Sequence, residues 1–225
     1  MKALRFALLA LAALGLAPSA RAAENFDKAP AALDPAKAYV LVRLGERAPG
    51  TWNVLMLSPY DAAAQDLRGR GRAKGNPVSA GDDERVMAGS GRPLVDAPHV
   101  RTYLLMITPG RYVLSNSATT CFCLGSFQFT AEAGRITDLG TIYIGPENGT
   151  SPWGVLAKRR SSPDIEDIPY AVADAMAVYP FKEGMSMPPA IMHLPRVAAV
   201  FTPASRLGNH YGRLINQALP LGGVR

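Results

Sequence analysis

Between Lys37 and Gly145 the chain is cut into short apolar runs, and their length limits what they can form. Residues 39–44, 52–57, 102–107, 112–115, 127–131 and 136–144 are rich in Val, Ile, Leu, Tyr, Phe and Thr, and each is bounded by Gly, Pro, Asn or Asp. Runs of this size and composition make strands, because branched and aromatic side chains pack well on a pleated surface and the bounding residues force reversals. Phe127-Gln128-Phe129 and Thr141-Ile142-Tyr143-Ile144 alternate with period two, which suits half-buried antiparallel strands better than fully buried parallel ones. The expected fold is mainly β, an antiparallel β-sandwich over residues 37–145.

Turn chemistry supports this reading. In Thr108-Pro109-Gly110-Arg111-Tyr112, proline presets φ at one corner and glycine supplies a positive φ at the next, so a tight hairpin turn is expected there. Gly134 in Ala133-Gly134-Arg135 marks a second reversal. Residues 58–68 read as a short helix: Ser58 can cap it, Pro59 takes the first helical position, Asp61 completes a capping box and Gly69 ends it. Residues 69–98 follow as a long polar excursion.

The order of an Ala38-Tyr39-Val40-Leu41-Val42-Arg43 strand, a second run at 52–57, Pro109-Gly110-Arg111-Tyr112, and a closing segment with Phe129, Gly134, Gly140, Ile142 and Ile144 carries a family likeness. It resembles the PEGA-like and carboxypeptidase-regulatory-like β-sandwich modules of the bacterial envelope, and an uncharacterised lipoprotein family with the same Pro-Gly-basic-Tyr hairpin. The likeness covers residues 37–145. It implies accessory, tethering or recognition roles and no catalytic residues. The lipobox cysteine of the lipoproteins has no counterpart here.

The N-terminus has the pattern of a cleavable signal peptide. Lys2 and Arg5 precede an apolar run over residues 6–17, and Ala20-Arg21-Ala22 places small residues where a signal peptidase reads, so cleavage is expected after Ala22 or Ala23. The run is too short to span a hydrocarbon core of about 30 Å, and no later stretch is long enough either. Division of the chain is therefore expected as signal peptide 1–22, linker 23–36, sandwich 37–145 and extension 146–225, exported to the periplasm or secreted. The formal charge of +6 falls to +3 without Lys2, Arg5 and Arg21, leaving 21 basic against 18 acidic residues. So weak a balance does not call for nucleic acid as a partner. Arg68, Arg70, Arg72 and Lys74 alternate with small residues and read as a solvated loop or an anionic-surface contact.

The extension differs in character: it holds ten of the nineteen prolines, which forbids long regular elements. Short helices are expected at 167–177 and 205–219 and a strand at 196–201. Trp153, Phe181 and Phe201 make it too apolar for a solvated tail, so it should wrap the sandwich or cover a partner.

Chemistry-bearing groups are sparse. His99, His193 and His210 are the only histidines and none sits at a metal or hydrolase spacing. Asp82-Asp83-Glu84 lacks the alternating ligands of a calcium loop, and Asn148-Gly149-Thr150 is formally a glycosylation sequon. Cys121 and Cys123, the only cysteines, suggest one disulfide in an exported protein, yet residues two apart in a strand lie about 6.5 Å apart, near the geometric limit. Reduced core thiols and a metal or redox role stay open. Met185, Met187, Met192 and His193 offer thioethers and an imidazole that suit Cu(I), against the plainer role of methionine as core filler. The function expected is a non-enzymatic envelope module that binds another envelope protein or a cell-wall polymer and needs no cofactor. A copper-binding protein and an unrecognised hydrolase are the alternatives.

Overall fold

The structure is a computed structural model that describes residues 24–48, 51–68, 86–118, 120–146, 174–182, 185, 187–204, 207 and 214–222. In chain order its strands are β1 (Glu24–Phe26), β2 (Ala38–Ala48), β3 (Thr51–Trp52), β4 (Leu55–Asp61), β5 (Asp66–Leu67), β6 (Val86–Ala88), β7 (Val95–Ala97), β8 (Val100–Ile107), β9 (Gly110–Ser117), β10 (Thr120–Cys121), β11 (Ser126–Ala131), β12 (Ile136–Pro146), β13 (Asp174–Tyr179), β14 (Arg196–Ala198), β15 (Thr202–Ala204) and β16 (Leu214–Ile215). A 3-10 turn covers Pro189–Ile191. The chain is mainly β, as the run pattern implies.

Two sheets hold these strands. The first runs β1-β8-β2-β12-β13, with β7 on β8, β3 on β2 and β14 on β12. The second runs β15-β11-β9-β10-β16, with β4 on β9 and both β5 and β6 on β4. Pairing is mostly antiparallel, the parallel pairs being β2 with β12, β12 with β14 and β10 with β16. Val40, Leu105, Ile142 and Met176 of the first sheet share one apolar core with Leu57, Leu114 and Phe129 of the second.

β2 is buried on both faces. Its even-numbered residues from Ala38 to Leu44 enter the shared core, while Tyr39 and Leu41 join Leu104, Ile136, Ile191 and Leu194 on the outer side. Its parallel pairing with β12 and its double burial depart from the half-buried antiparallel expectation. The reason is cover from elsewhere in the chain: Phe26, Ala29 and Leu33 from one end and Ile191 and Leu194 from the other lie over that face.

The Pro109 and Gly134 reversals occur, but neither makes a hairpin. β8 and β9 belong to different sheets, as do β11 and β12, so both links are corners that carry the chain from one sheet to the other. The Tyr112 hydroxyl donates to the Thr108 carbonyl at 2.8 Å, fastening the first corner. Gly110 has a positive φ of 157°, as expected of it, and a side chain there would meet nothing within 4 Å. Gly134 has a left-handed φ of 74°.

The expected helix at 58–68 is instead the end of β4, a turn and β5. Ser58 and Pro59 pair with Val113 and Tyr112, and Asp61 accepts from the Ala63 and Ala64 amides to hold the turn. A run of three alanines is too short to nucleate a helix against sheet pairing that buries Leu57 and Tyr60. The helix expected over 167–177 fails where it is described, because Asp174–Tyr179 pairs with β12 along six positions, from Thr141↔Tyr179 to Pro146↔Asp174. Of the helix expected at 205–219, residues 214–219 are strand and extended chain. Of the strand expected at 196–201, Arg196–Ala198 is β14 and residues 199–201 are not strand.

Candidate functional site

Cys121 and Cys123 are disulfide-bonded, with Cα atoms 5.2 Å apart. Phe122 between them enters the shared core, while the two cysteines join Tyr60, Val113, Ala204 and Leu207 on the outer side of the second sheet. The compressed Cα spacing is the local distortion that an extended chain lacks.

The four Met and His positions have different surroundings. Met187 packs under the outer apolar face of the first sheet, and its sulfur accepts from Arg43 Nη2 at 3.4 Å. The Met185 sulfur accepts from the Lys182 amide at 3.2 Å. Met192 is 69 % exposed and His193 beside it faces solvent, both at the end of the 3-10 turn. The basic loop beyond Arg68, the acidic run at 82–84, the sequon and Trp153 lie outside the described residues.

Two constellations that sequence reasoning missed are well defined. In the first, the fully buried Asp138 on β12 receives a bidentate grip from Arg43 on β2, Nη1 to Oδ1 at 2.8 Å and Nη2 to Oδ2 at 3.2 Å. Asp138 Oδ1 also accepts from the Gly140 amide, and Arg196 Nη1 on β14 stands 3.8 Å from Oδ2. The Phe181 ring lies 4.5 Å from the Arg196 guanidinium carbon and 5.8 Å from that of Arg43. Two cations share one carboxylate inside a low-dielectric setting, with an aromatic face beside both. The arrangement joins β2, β12, β14, Phe181 and Met187, and its chemistry is that of a fastening.

In the second, Arg101 at the start of β8 stacks on Trp52, its guanidinium carbon 4.1 Å from the ring centroid. Asp96 on β7 holds Arg101 from the side, Nε to Oδ1 at 2.9 Å and Nη2 to Oδ2 at 3.2 Å. That hydrogen bond is the main cause holding the Arg101 guanidinium above its usual range. Tyr103, two residues on and on the same face of the strand, is raised mainly by burial, with Arg101 opposing. Beside them His99 Nδ1 lies 2.6 Å from Glu46 Oε2, with the His99 side chain 82 % exposed on a left-handed backbone of φ 62°. Indole, guanidinium, carboxylate and imidazole thus sit at one end of the first sheet, held by one another.

Comparison with protein-family models, curated proteins and solved structures finds no match. The site therefore has to be read from its own geometry. Trp52 opens one run that marks a strand and Arg101 stands just before another, and nothing in their spacing of forty-nine positions announces that they touch. No helix among the described residues is long and apolar enough to cross a membrane.

Proposed function

We propose that this chain is an exported β-sandwich module of the bacterial envelope that binds a cell-wall polymer through the Trp52–Arg101–Asp96 platform and carries out no catalysis. The observation that carries the reading is the platform itself. Its guanidinium is fixed by stacking at 4.1 Å and by a bidentate carboxylate, so little side-chain entropy remains to be lost on binding. An amphipathic indole beside fixed donors and acceptors suits the apolar face and hydroxyl edge of a sugar ring. The Cys121–Cys123 pairing supports an oxidising compartment, in line with the signal-peptide pattern of residues 1–22. Another envelope protein is the competing partner.

Co-sedimentation with purified cell-wall sacculi tests the reading. Wild-type protein should pellet with them, and Trp52→Ala and Arg101→Ala should each lose most of that binding while melting as cooperatively as wild type. Equal sedimentation of all three proteins, or binding only to envelope proteins in a cross-linking experiment, would reject the polymer assignment. Mass spectrometry of the envelope fraction tests export, with a mature N-terminus at or next to Ala23 expected and an intact Met1 on cytoplasmic protein counting against it.

A further inference from the structure

The last described segment belongs to both sheets at once. Leu214–Ile215 runs parallel to Thr120–Cys121, the Asn216 amide donates to the Cys121 carbonyl at 2.8 Å, and the Leu124 amide donates to the Asn216 carbonyl at 3.1 Å. The Ala218 amide then reaches the Gly125 carbonyl at 2.9 Å, still on the second sheet. Past that point the chain crosses over. Leu219 and Gly222 donate to the Met176 and Val178 carbonyls of β13, at 2.9 and 2.8 Å, and the Asn216 side chain donates to the Asp174 carbonyl at 2.8 Å. Residues 214–222 are a strap that closes one edge between the sheets, with Ala218 in the shared core.

The disulfide begins on β10, the strand beside this strap. Cys121 offers its carbonyl to Asn216, and Cys123 offers its carbonyl to Leu207 at 3.1 Å, so the pinched Cys121-Phe122-Cys123 segment sets where both acceptors stand. Each cysteine is 1 % exposed. We infer that the Cys121–Cys123 disulfide is a redox-sensitive clasp, and that its reduction by a dithiol releases residues 214–222 from both sheets.

The physical coupling is steric. Bonded sulfurs sit about 2.05 Å apart, and as thiols they must part to van der Waals contact, roughly 3.5–4 Å. Both sit in a buried apolar cluster with Tyr60, Leu67, Val113, Ala204 and Leu207, where overpacking forces side chains off their rotamers and shifts the backbone. Relaxation takes the Cα spacing from 5.2 Å toward the extended value of about 6.5 Å and displaces the two carbonyls by about 1 Å. Hydrogen bonds of ordinary length do not survive such a shift without the strap moving too. Coupling runs in both directions, because a strap already loosened no longer opposes the backbone shift that reduction requires. In the exchange a reagent thiolate attacks one cysteine sulfur, forms a mixed disulfide and expels the other cysteine as a thiolate. The reagent's second thiolate then attacks the reagent sulfur of the mixed disulfide, closes the reagent's own S–S bond and expels the remaining cysteine as a thiolate. The dithiol leaves as a disulfide, two electrons oxidised, and two protons end on the cysteine sulfurs.

Hydrogen exchange on the full chain, with and without dithiothreitol, tests the clasp. The Asn216, Ala218, Leu219 and Gly222 amides should exchange about tenfold faster or more after reduction, with the amides of β2 and β8 unchanged. Unchanged strap protection would overturn the inference, and so would an equal loss across both sheets, which marks a general staple. The reverse arm uses Ala218→Pro, which removes the amide that binds the Gly125 carbonyl: its disulfide should reduce about tenfold faster than that of wild type. An unchanged reduction rate in that variant also overturns it.

Discussion

Asp138→Asn is the substitution whose cost the structure sets most sharply. The carboxylate is fully buried, while the Arg43 and Arg196 side chains beside it are 9 % and 24 % exposed. Neutralising it leaves two guanidinium groups facing each other around one amide. Removing one partner of a buried ion pair costs about 3–5 kcal/mol, and the partial exposure of Arg196 puts this case near the lower end. In a chain of this length the melting temperature should fall by about 10 °C, at roughly 2–4 °C per kcal/mol. Arg43→Met combined with Asp138→Leu removes both members and leaves chiefly the Gly140 amide without its acceptor, a cost of about 1–3 kcal/mol. The double variant should therefore be more stable than the sum of its single changes by about 2 kcal/mol or more. Urea unfolding followed by intrinsic fluorescence measures all four corners of the cycle. A single-variant cost below about 1 kcal/mol together with a coupling within about 0.5 kcal/mol of zero would refute the idea that this cluster fastens the sheet to its cover.

Three further outcomes follow from individual residues. Gly140 has φ 80°, and a side chain there would run into the Tyr179 carbonyl and the Phe181 amide, so Gly140→Ala should cost about 2 kcal/mol or more in thermal melts. The Asp61 carboxyl is held below the ordinary aspartate range by the Ala64 and Ala63 amides; its stabilising effect is present above that range and lost as pH falls through the lowered value, which side-chain carboxyl NMR should locate. Burial pushes the Tyr103 and Tyr60 hydroxyls up, so the stability they contribute is intact below the usual tyrosine pKa and lost as pH rises through the raised values; phenolate absorbance should show both ionising late.

Much of the strand content was legible because it depends on local texture. Residues 102–107 and 127–131 alternate or cluster apolar side chains over strand-like lengths, and both became strands. Where strands go afterwards was not legible, because Pro109 and Gly134 reverse the chain equally well within a sheet or between sheets. Ser58 and Asp61 misled for a related reason: a capping signal is a statement about local hydrogen bonds, and the pairing of Ser58 and Pro59 with β9 outweighs it. The same holds for Asp174–Tyr179, whose alanines favour a helix until β12 offers a partner at every position. Arg43 and Asp138 are 95 positions apart, and no spacing rule connects them.

The proline-rich extension, residues 146–225, shows how composition was both informative and misread. High proline content rules out long elements, and none occurs among the described residues: β14 and β15 have three residues each, and β16 has two. Yet proline permits strand wherever its missing amide is not needed. Pro203 sits in β15, the edge of the second sheet, opposite Phe127, which is the setting that tolerates it. Pro195, just ahead of β14, contributes only its carbonyl, which accepts from the Ile136 amide at 2.9 Å. Short elements separated by proline can each find a place along the rim of a sheet already built, so β13 and β14 follow one another along the same edge of β12. The apolar residues that argued against a solvated tail have their explanation there, with Phe201 against the shared core, Phe181 beside the two arginines and Ile191 over the outer face. Proline density combined with a high apolar content is therefore the signature of rim strands and straps, whose positions depend on acceptors supplied by distant parts of the chain.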